Sequence, residues 1–181
     1  RVNRARFSAK LPARFLLVAA MNPCPCGEAG RPGACRCPDG VLARYHRRLS
    51  GPLLDRFDLR VDVLRPEVEQ LLGGEPGEPS ETVAGRVVAA RDLALRRGVL
   101  ANAHLRGSEL ERWAPVTAEA HDLLAGALRA GRLSARGLDR VRRVARTIAD
   151  LAGHDGPLTR GHVGTALHLR ADVRLGAGAQ A

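Results

Sequence analysis

Aromatic residues are scarce in this chain: three Phe, one Tyr and one Trp among 181 residues. So few rings cannot tile the stacking platforms that single-strand binders and RNA-recognition sheets use. Lysine is scarcer still, since Lys10 is the only one. It sits in Ser8-Ala9-Lys10-Leu11 with no glycine beside it, and the pattern G-x-x-x-x-G-K-[ST] occurs nowhere. A loop that cradles phosphate needs small residues, so that backbone N–H groups can approach, and a lysine that reaches the phosphate. Nor does an apolar run end in Asp-Glu, the pair that would hold magnesium and polarise a water. Alone, the chain is therefore expected to be inactive as a nucleotide hydrolase. A G-x-S-x-G elbow is missing too. No run approaches the ~20 apolar residues of a membrane span, and no charged-then-apolar leader opens the chain. The expected setting is cytoplasmic. The chain opens on Arg1 and its one methionine is Met21, which is expected of a fragment of a longer product.

What is abundant is arginine, which supplies almost all of a net charge of +10. Such a balance suits phosphate-bearing partners, through steering and counterion release. Codon bias is the competing reading, because Ala, Arg, Gly, Leu and Val dominate the composition. The histidines at 46, 104, 121, 154, 162 and 168 show no metal-ligand spacing and are expected to be solvated or locally bonded.

Along the chain, residues 2–6 read as the end of a strand. Residues 15–20, Phe-Leu-Leu-Val-Ala-Ala, form a continuous apolar run, as in a buried parallel strand. Residues 21–38 are punctuated by Pro and Gly and read as a loop or knuckle. Asp39 can cap a helix to about Leu49. Ser50-Gly51-Pro52 then breaks the chain before a helical turn ending near Arg56. Leu59, Val61 and Val63 alternate with polar residues, a second strand over about residues 58–64. Pro, Gly and Glu dominate 65–80, a linker composition. Everything beyond reads as helix: from Ser80, from Ser108 with Glu111 at capping-box spacing, from Thr117, from Ser134 and from Thr159 to about Asp172. Residues 176–181 read as a flexible tail. The expected fold is α/β followed by all-α. Its divisions are residues 1–66 with a Cys-rich insert at about 21–38, a linker at 67–80, a helical bundle at 81–175 and the tail.

All four cysteines lie in one stretch, as Cys24-Pro-Cys26 and Cys35-Arg-Cys37. Four thiolates can close a tetrahedral zinc site at Zn–S distances of ~2.3 Å, with no position open for substrate. Two disulfides, or four free thiols on a loop, are the alternatives, and C-x-C departs from the usual C-x-x-C spacing. Two arginines stand apart. Arg56 follows a short helical turn, where its planar fork can project toward a phosphate on a neighbouring subunit or pair locally with Asp55 or Asp58. Arg136 lies in the first turn of the helix from Ser134. A cation there opposes the helix dipole unless an anion docks at that end. Leu138, Val141, Val144, Ala145, Ile148 and Leu151 form that helix's apolar stripe. Arg140, Arg142, Arg143 and Arg146 read as its solvated basic face.

Taken together, several stretches resemble the magnesium chelatase-related AAA+ ATPases of bacteria, in their YifB/ComM-like branch. They are Ala19-Ala-Met-Asn-Pro-Cys-Pro-Cys-Gly27, Cys35-Arg-Cys37, Tyr45 with Arg47, Ser50-Gly-Pro-Leu-Leu-Asp-Arg-Phe-Asp58, Ser134-Ala-Arg-Gly137 and Arg143-Val-Ala-Arg-Thr-Ile-Ala-Asp-Leu151. The resemblance implies the second half of a AAA+ parallel-sheet core followed by a helical lid. It implies that Asn22 is the sensor-1 residue facing the γ-phosphate or its attacking water. Arg56 would be the arginine finger for a neighbour's site, and Arg136 the sensor-2 residue of the lid. A phosphoryl transition state needs positioned donors and cations, and each of these residues supplies one. ATP and Mg2+ in the complete protein, a ring, expected to be a hexamer, and action on DNA by branch migration or unwinding are implied with it. Two rival functions are a zinc-stabilised, Arg-rich DNA-binding module without catalysis and a true chelatase motor subunit. The Cys24, Cys26, Cys35 and Cys37 set is expected in the DNA-linked branch.

Overall fold

Short polar side chains open three of the four helices from 108 onward. Thr117, Ser134 and Thr159 each accept a backbone N–H three residues on, from Ala120, Gly137 and His162. Such caps satisfy donors that a helix start leaves bare. At Thr159 the cap is reciprocal, because His162 Nδ1 accepts the Thr159 N–H at 3.2 Å. The computed structural model describes residues 2–11, 15–30, 33–64, 66, 68–74 and 76–170. Its elements are a hairpin of β1 (Val2–Arg4) and β2 (Phe7–Ala9) and eight α-helices. The helices are α1 (Asp39–His46), α2 (Gly51–Leu54), α3 (Val68–Gly73), α4 (Ser80–Arg96), α5 (Ser108–Trp113), α6 (Ala118–Arg129), α7 (Ala135–Leu151) and α8 (Arg160–His168).

The core belongs to the helices after α3. Leu105, Leu110, Leu124, Leu133, Val141, Leu158 and Val163 are buried together with six alanines. Helix α7 lies at the centre, packed against α8, α4, α5 and the 3-10 turn Asn102–His104. An isolated parallel bridge, Val116 to Leu158, ties the start of α6 to the start of α8.

Helix α7 packs five residues of its expected stripe, Val141 and Ala145 buried and Leu138, Val144 and Ile148 half-buried against the core, and adds charged residues to that face. Its buried face is Gly137, Val141, Arg142, Ala145, Arg146, Ala149 and Asp150, whereas Leu151 is exposed. Small residues at 137, 145 and 149 let neighbouring elements approach. The buried charges are compensated across the bundle. Asp150 accepts both Arg97 guanidinium nitrogens at 2.6 Å, Asn102 Nδ2 at 2.7 Å and Arg146 Nε at 3.1 Å. Arg142 donates to Glu111 and to the carbonyls of Leu110 and Ala114, closing the C-terminal end of α5. Arg142 is 8% exposed and Arg146 is 1% exposed, so neither lies on a solvated face. Glu111 is engaged by Arg142, and Ser108 is the first residue of α5 rather than its cap; the expected capping box does not form.

The amino-terminal half corrects the sequence reading more deeply. Residues 15–20 and 59–64 are not strands, and their apolar side chains lie open, Leu16 at 89% and Val63 at 92% exposure. A strand exists only through a ladder with a neighbour, and no described residue supplies that neighbour. Residues 2–9 instead fold back as a two-stranded hairpin, registered Val2 to Ala9 and Arg4 to Phe7. Asp39 is the first residue of α1 and Pro38 its cap. The stretch expected as a linker carries the exposed helix α3. Helix α8 ends at His168, and the tail from 176 lies outside the described residues.

Candidate functional site

The four cysteines, nine and eleven residues apart across the loop, converge. Their sulfurs all lie within 4.8 Å of one another. Cys24 Sγ is 3.2 Å from Cys26 Sγ and 3.7 Å from Cys35 Sγ, and Cys26 Sγ is 3.8 Å from Cys35 Sγ. A tetrahedron with Zn–S bonds of ~2.3 Å has edges of about 3.8 Å, so the donor set fits a single metal ion. All four are free thiols, which sets the disulfide alternative aside. Gly27 closes the knuckle: its φ of 81° lies in the left-handed region, and its N–H donates to the Cys24 carbonyl at 3.0 Å. The thiols divide the charge unevenly. Burial opposes ionisation of Cys24, but hydrogen bonds from Cys26, the Ala29 backbone and Cys35 outweigh it and lower its pKa to about 6. Hydrogen bonding to Cys26 leads the causes that raise Cys37 to about 12. Sulfurs this close cannot all hold negative charge unless a cation shares it.

Asn22 sits at the foot of this knuckle, two residues before Cys24. Helix α1 holds its backbone. Tyr45 Oη donates to the Asn22 carbonyl at 3.0 Å, and the His46 ring lies 3.1 Å from the Pro23 carbonyl. A side chain at Gly27 would meet Asn22 Nδ2 at 3.6 Å, so the knuckle turn faces the Asn22 amide. Asn22 is exposed. Tyr45 belonged to the family pattern, but its role as a clamp was not legible, because the contact spans 23 residues.

Arg56 and Arg136 are both exposed, and their neighbours meet at one junction between the halves, Ser134 Oγ lying 3.4 Å from the Asp55 carboxylate and Arg140 donating to the Arg56 carbonyl at 2.8 Å. Arg56 does not pair with Asp55 or Asp58. Its guanidinium donates to the Pro52 carbonyl at 2.6 Å along α2, while Asp55 pairs with Arg170 and Asp58 with Arg140. Arg136 has no hydrogen-bond or ion-pair partner among the described residues. It stands in the first turn of α7, one turn before Arg140. Asn22 is gathered with the cysteines instead. Arg140, Arg170 and Asp55 were missed as site residues, because a charge run on a helix and a terminal arginine give no local sign of a distant carbonyl partner. Among the described residues, no helix is long and apolar enough to cross a membrane.

Comparison with known proteins matches both halves. Residues 1–71 match the family "Magnesium chelatase, subunit ChlI", and residues 77–170 match "Magnesium chelatase, subunit ChlI C-terminal". Competence protein ComM of Haemophilus influenzae is 39% identical over 175 residues, covering 96% of this chain and 34% of that protein. The uncharacterized protein YifB of Escherichia coli is 41% identical over the same coverage. The uncharacterized protein Rv2897c of Mycobacterium tuberculosis is 44% identical over 150 residues, 81% of this chain and 29% of that protein. The chain thus spans about a third of the length of these relatives. With the segment around Arg56 docked on the helix that carries Arg136, and both halves matched in order, the chain belongs to the magnesium chelatase family.

Proposed function

We propose that this chain is the carboxy-terminal part of a magnesium chelatase-like AAA+ ATPase and supplies three nucleotide-facing residues to ATP sites in a ring. Asn22 positions the attacking water or the γ-phosphate. Arg56 completes the site of the neighbouring subunit, and Arg136 reaches from the lid to the γ-phosphate of its own. The observation that carries this reading is the pairing of exposed Arg56 and Arg136 on one junction in a chain matched by both family halves. A guanidinium aimed at the transferring phosphoryl group stabilises charge that grows in the transition state. ATP and its Mg2+ would be bound by the P-loop half of the core, which this chain does not contain. The same half would cover the apolar residues at 15–18 and 59–64 by adding the missing ladder partners.

DNA is the proposed substrate, with branch migration or unwinding in a hexamer as the mechanical output. The relative named for competence and the charge of +10 support it. The cysteine cluster is proposed to hold one structural Zn2+, which would supply only cross-linking of the knuckle beside Asn22. The decisive experiment is Arg56→Ala in the full-length protein that carries this chain. ATP turnover should fall by about 1,000-fold, the scale of an arginine finger, with ATP binding retained. Unchanged turnover would overturn the reading. DNA-stimulated turnover separates a DNA motor from a chelatase motor, which would show none.

A further inference from the structure

The segment from Asp55 to Asp58 is held from two sides: its N–H groups at Asp55, Arg56 and Phe57 bond back to the carbonyls of Gly51, Leu53 and Leu54, and its carbonyls are held by the lid. Three consecutive backbone carbonyls accept from two lid arginines. Arg170 donates to the Asp55 carbonyl and to the Phe57 carbonyl, each at 2.8 Å, and Arg140 donates to the Arg56 carbonyl at 2.8 Å. The same two guanidiniums pair with the flanking carboxylates, Arg170 with Asp55 and Arg140 with Asp58. Ser134 Oγ, which caps α7, lies 3.4 Å from the Asp55 carboxylate. The Arg60 N–H donates to the Leu169 carbonyl at 2.7 Å. Arg170 is 8% exposed at its side chain, so its bonds are sheltered from competing water.

These contacts fix the main chain on both sides of Arg56 and leave its guanidinium outside. The two-nitrogen fork of Arg170 and the paired bonds from Arg140 Nη1, together on three successive carbonyls, define a backbone path more tightly than any single ion pair. They also have one origin. Arg140 is one helical turn beyond Arg136 on α7, and Arg170 Nε passes 3.5 Å from where a Cβ on Gly137 would sit. Gly137 is buried and follows Arg136 directly. A methyl there would also press Leu133 Cδ1 at 2.9 Å, so glycine keeps the first turn of α7 and Arg170 in contact.

We propose that Arg140 and Arg170 are positioning residues that lock the Arg56 segment to the first turns of α7. Movement of α7 when Arg136 engages nucleotide in one subunit then resets Arg56 at the neighbour's site. The inference rests on the reading of Arg56 and Arg136 given above. It requires no new ligand: one rigid junction joins the residue that senses one nucleotide to the residue that acts on the next.

The test uses Arg140→Gln and Arg170→Gln in the full-length protein, beside Arg56→Ala and Arg136→Ala. Each Gln variant should lose about 100-fold in kcat, as when a catalytic group is misplaced by about an ångström, with KM and ATP affinity held. Arg140→Gln added to Arg56→Ala should cost nothing further. Mixed rings of Arg56→Ala and Arg136→Ala subunits should stay as slow as either parent, because a subunit without Arg136 does not reset its own Arg56, and Arg140→Gln mixed with Arg136→Ala should do the same. Wild-type kcat in both Gln variants, with Arg56→Ala inactive, would overturn the lock and leave the finger reading standing. An additive loss in the double variant would overturn the lock by assigning Arg140 a purely structural role, and mixed rings that regain turnover would overturn the coupling by showing that Arg56 acts without Arg136 of its own subunit. Arg140→Lys, which keeps a charged donor nitrogen, should recover part of kcat even if the Gln variant folds poorly. Wild-type turnover in Arg56→Ala would instead sink the underlying assignment.

Discussion

The two halves of this chain solve the burial problem in opposite ways. From Val99 to Leu167, thirteen apolar side chains share one core and the buried charges among them, Arg142, Arg146 and Asp150, are each hydrogen-bonded. From Val2 to Leu64, Cys24 is the only buried residue among those described, and Phe15, Leu16, Val18 and Val63 face outward. The later half carries its own partners; the earlier half presents surfaces cut to fit others. A residue count would not distinguish them. What separates them is whether each element's complement lies within the chain.

The hardest blow to the self-contained half should come at Asp150. Asp150→Ala leaves Arg97 and Arg146 buried without their counter-charge, and the midpoint in urea should report a loss of about 3–5 kcal/mol. A change under about 1 kcal/mol would mean the network is not what holds α4 against α7. The earlier half should yield to chemistry that leaves the lid untouched. Protein purified under reducing conditions should carry one zinc per chain, and Cys35→Ser should abolish it. Hydrogen exchange should then quicken at residues 22–27 and stay unchanged in α7. Metal-free protein with identical exchange would erase this distinction. The smallest effect is a pH slope in the lid. Burial, followed by His154 and Arg146, lowers the pKa of His162 below its usual 6.5. Neutral His162 accepts the Thr159 N–H, and protonation removes that acceptor. Its contribution is therefore complete above about pH 6.5 and fades as pH falls through the lower folded-state value. His162→Gln should flatten the decline in thermal midpoint between pH 7 and 5; an unaltered slope would assign the decline elsewhere.

The same contrast explains what could be read from residues alone. Thr117, Ser134 and Thr159 were legible as helix starts because a cap acts within three residues. The cysteines were legible because a metal site constrains residue type, although their convergence required the fold. Residues 15–20 misled for the opposite reason: their pattern specifies a place in a sheet whose other strands are not among the described residues. Arg142 and Arg146 misled because helical periodicity assigns arginine to water, whereas Glu111, Asp150 and several carbonyls draw them inward from up to 32 residues away. Glu111 had the right spacing for a cap and a stronger claim from Arg142.

Arg170 lies 115 residues after Asp55, and that separation has a consequence in time. Synthesis runs at about 5–20 residues per second, so the segment around Arg56 waits for roughly 6–23 s before Arg170 has been made. Until then the main chain around Arg56 lacks the carbonyl contacts that fix it. Nascent chains halted before residue 170 should be cut quickly by trypsin at Arg56, and chains extended well past it should be cut slowly. Equal rates would show that the grip is not what orders that segment.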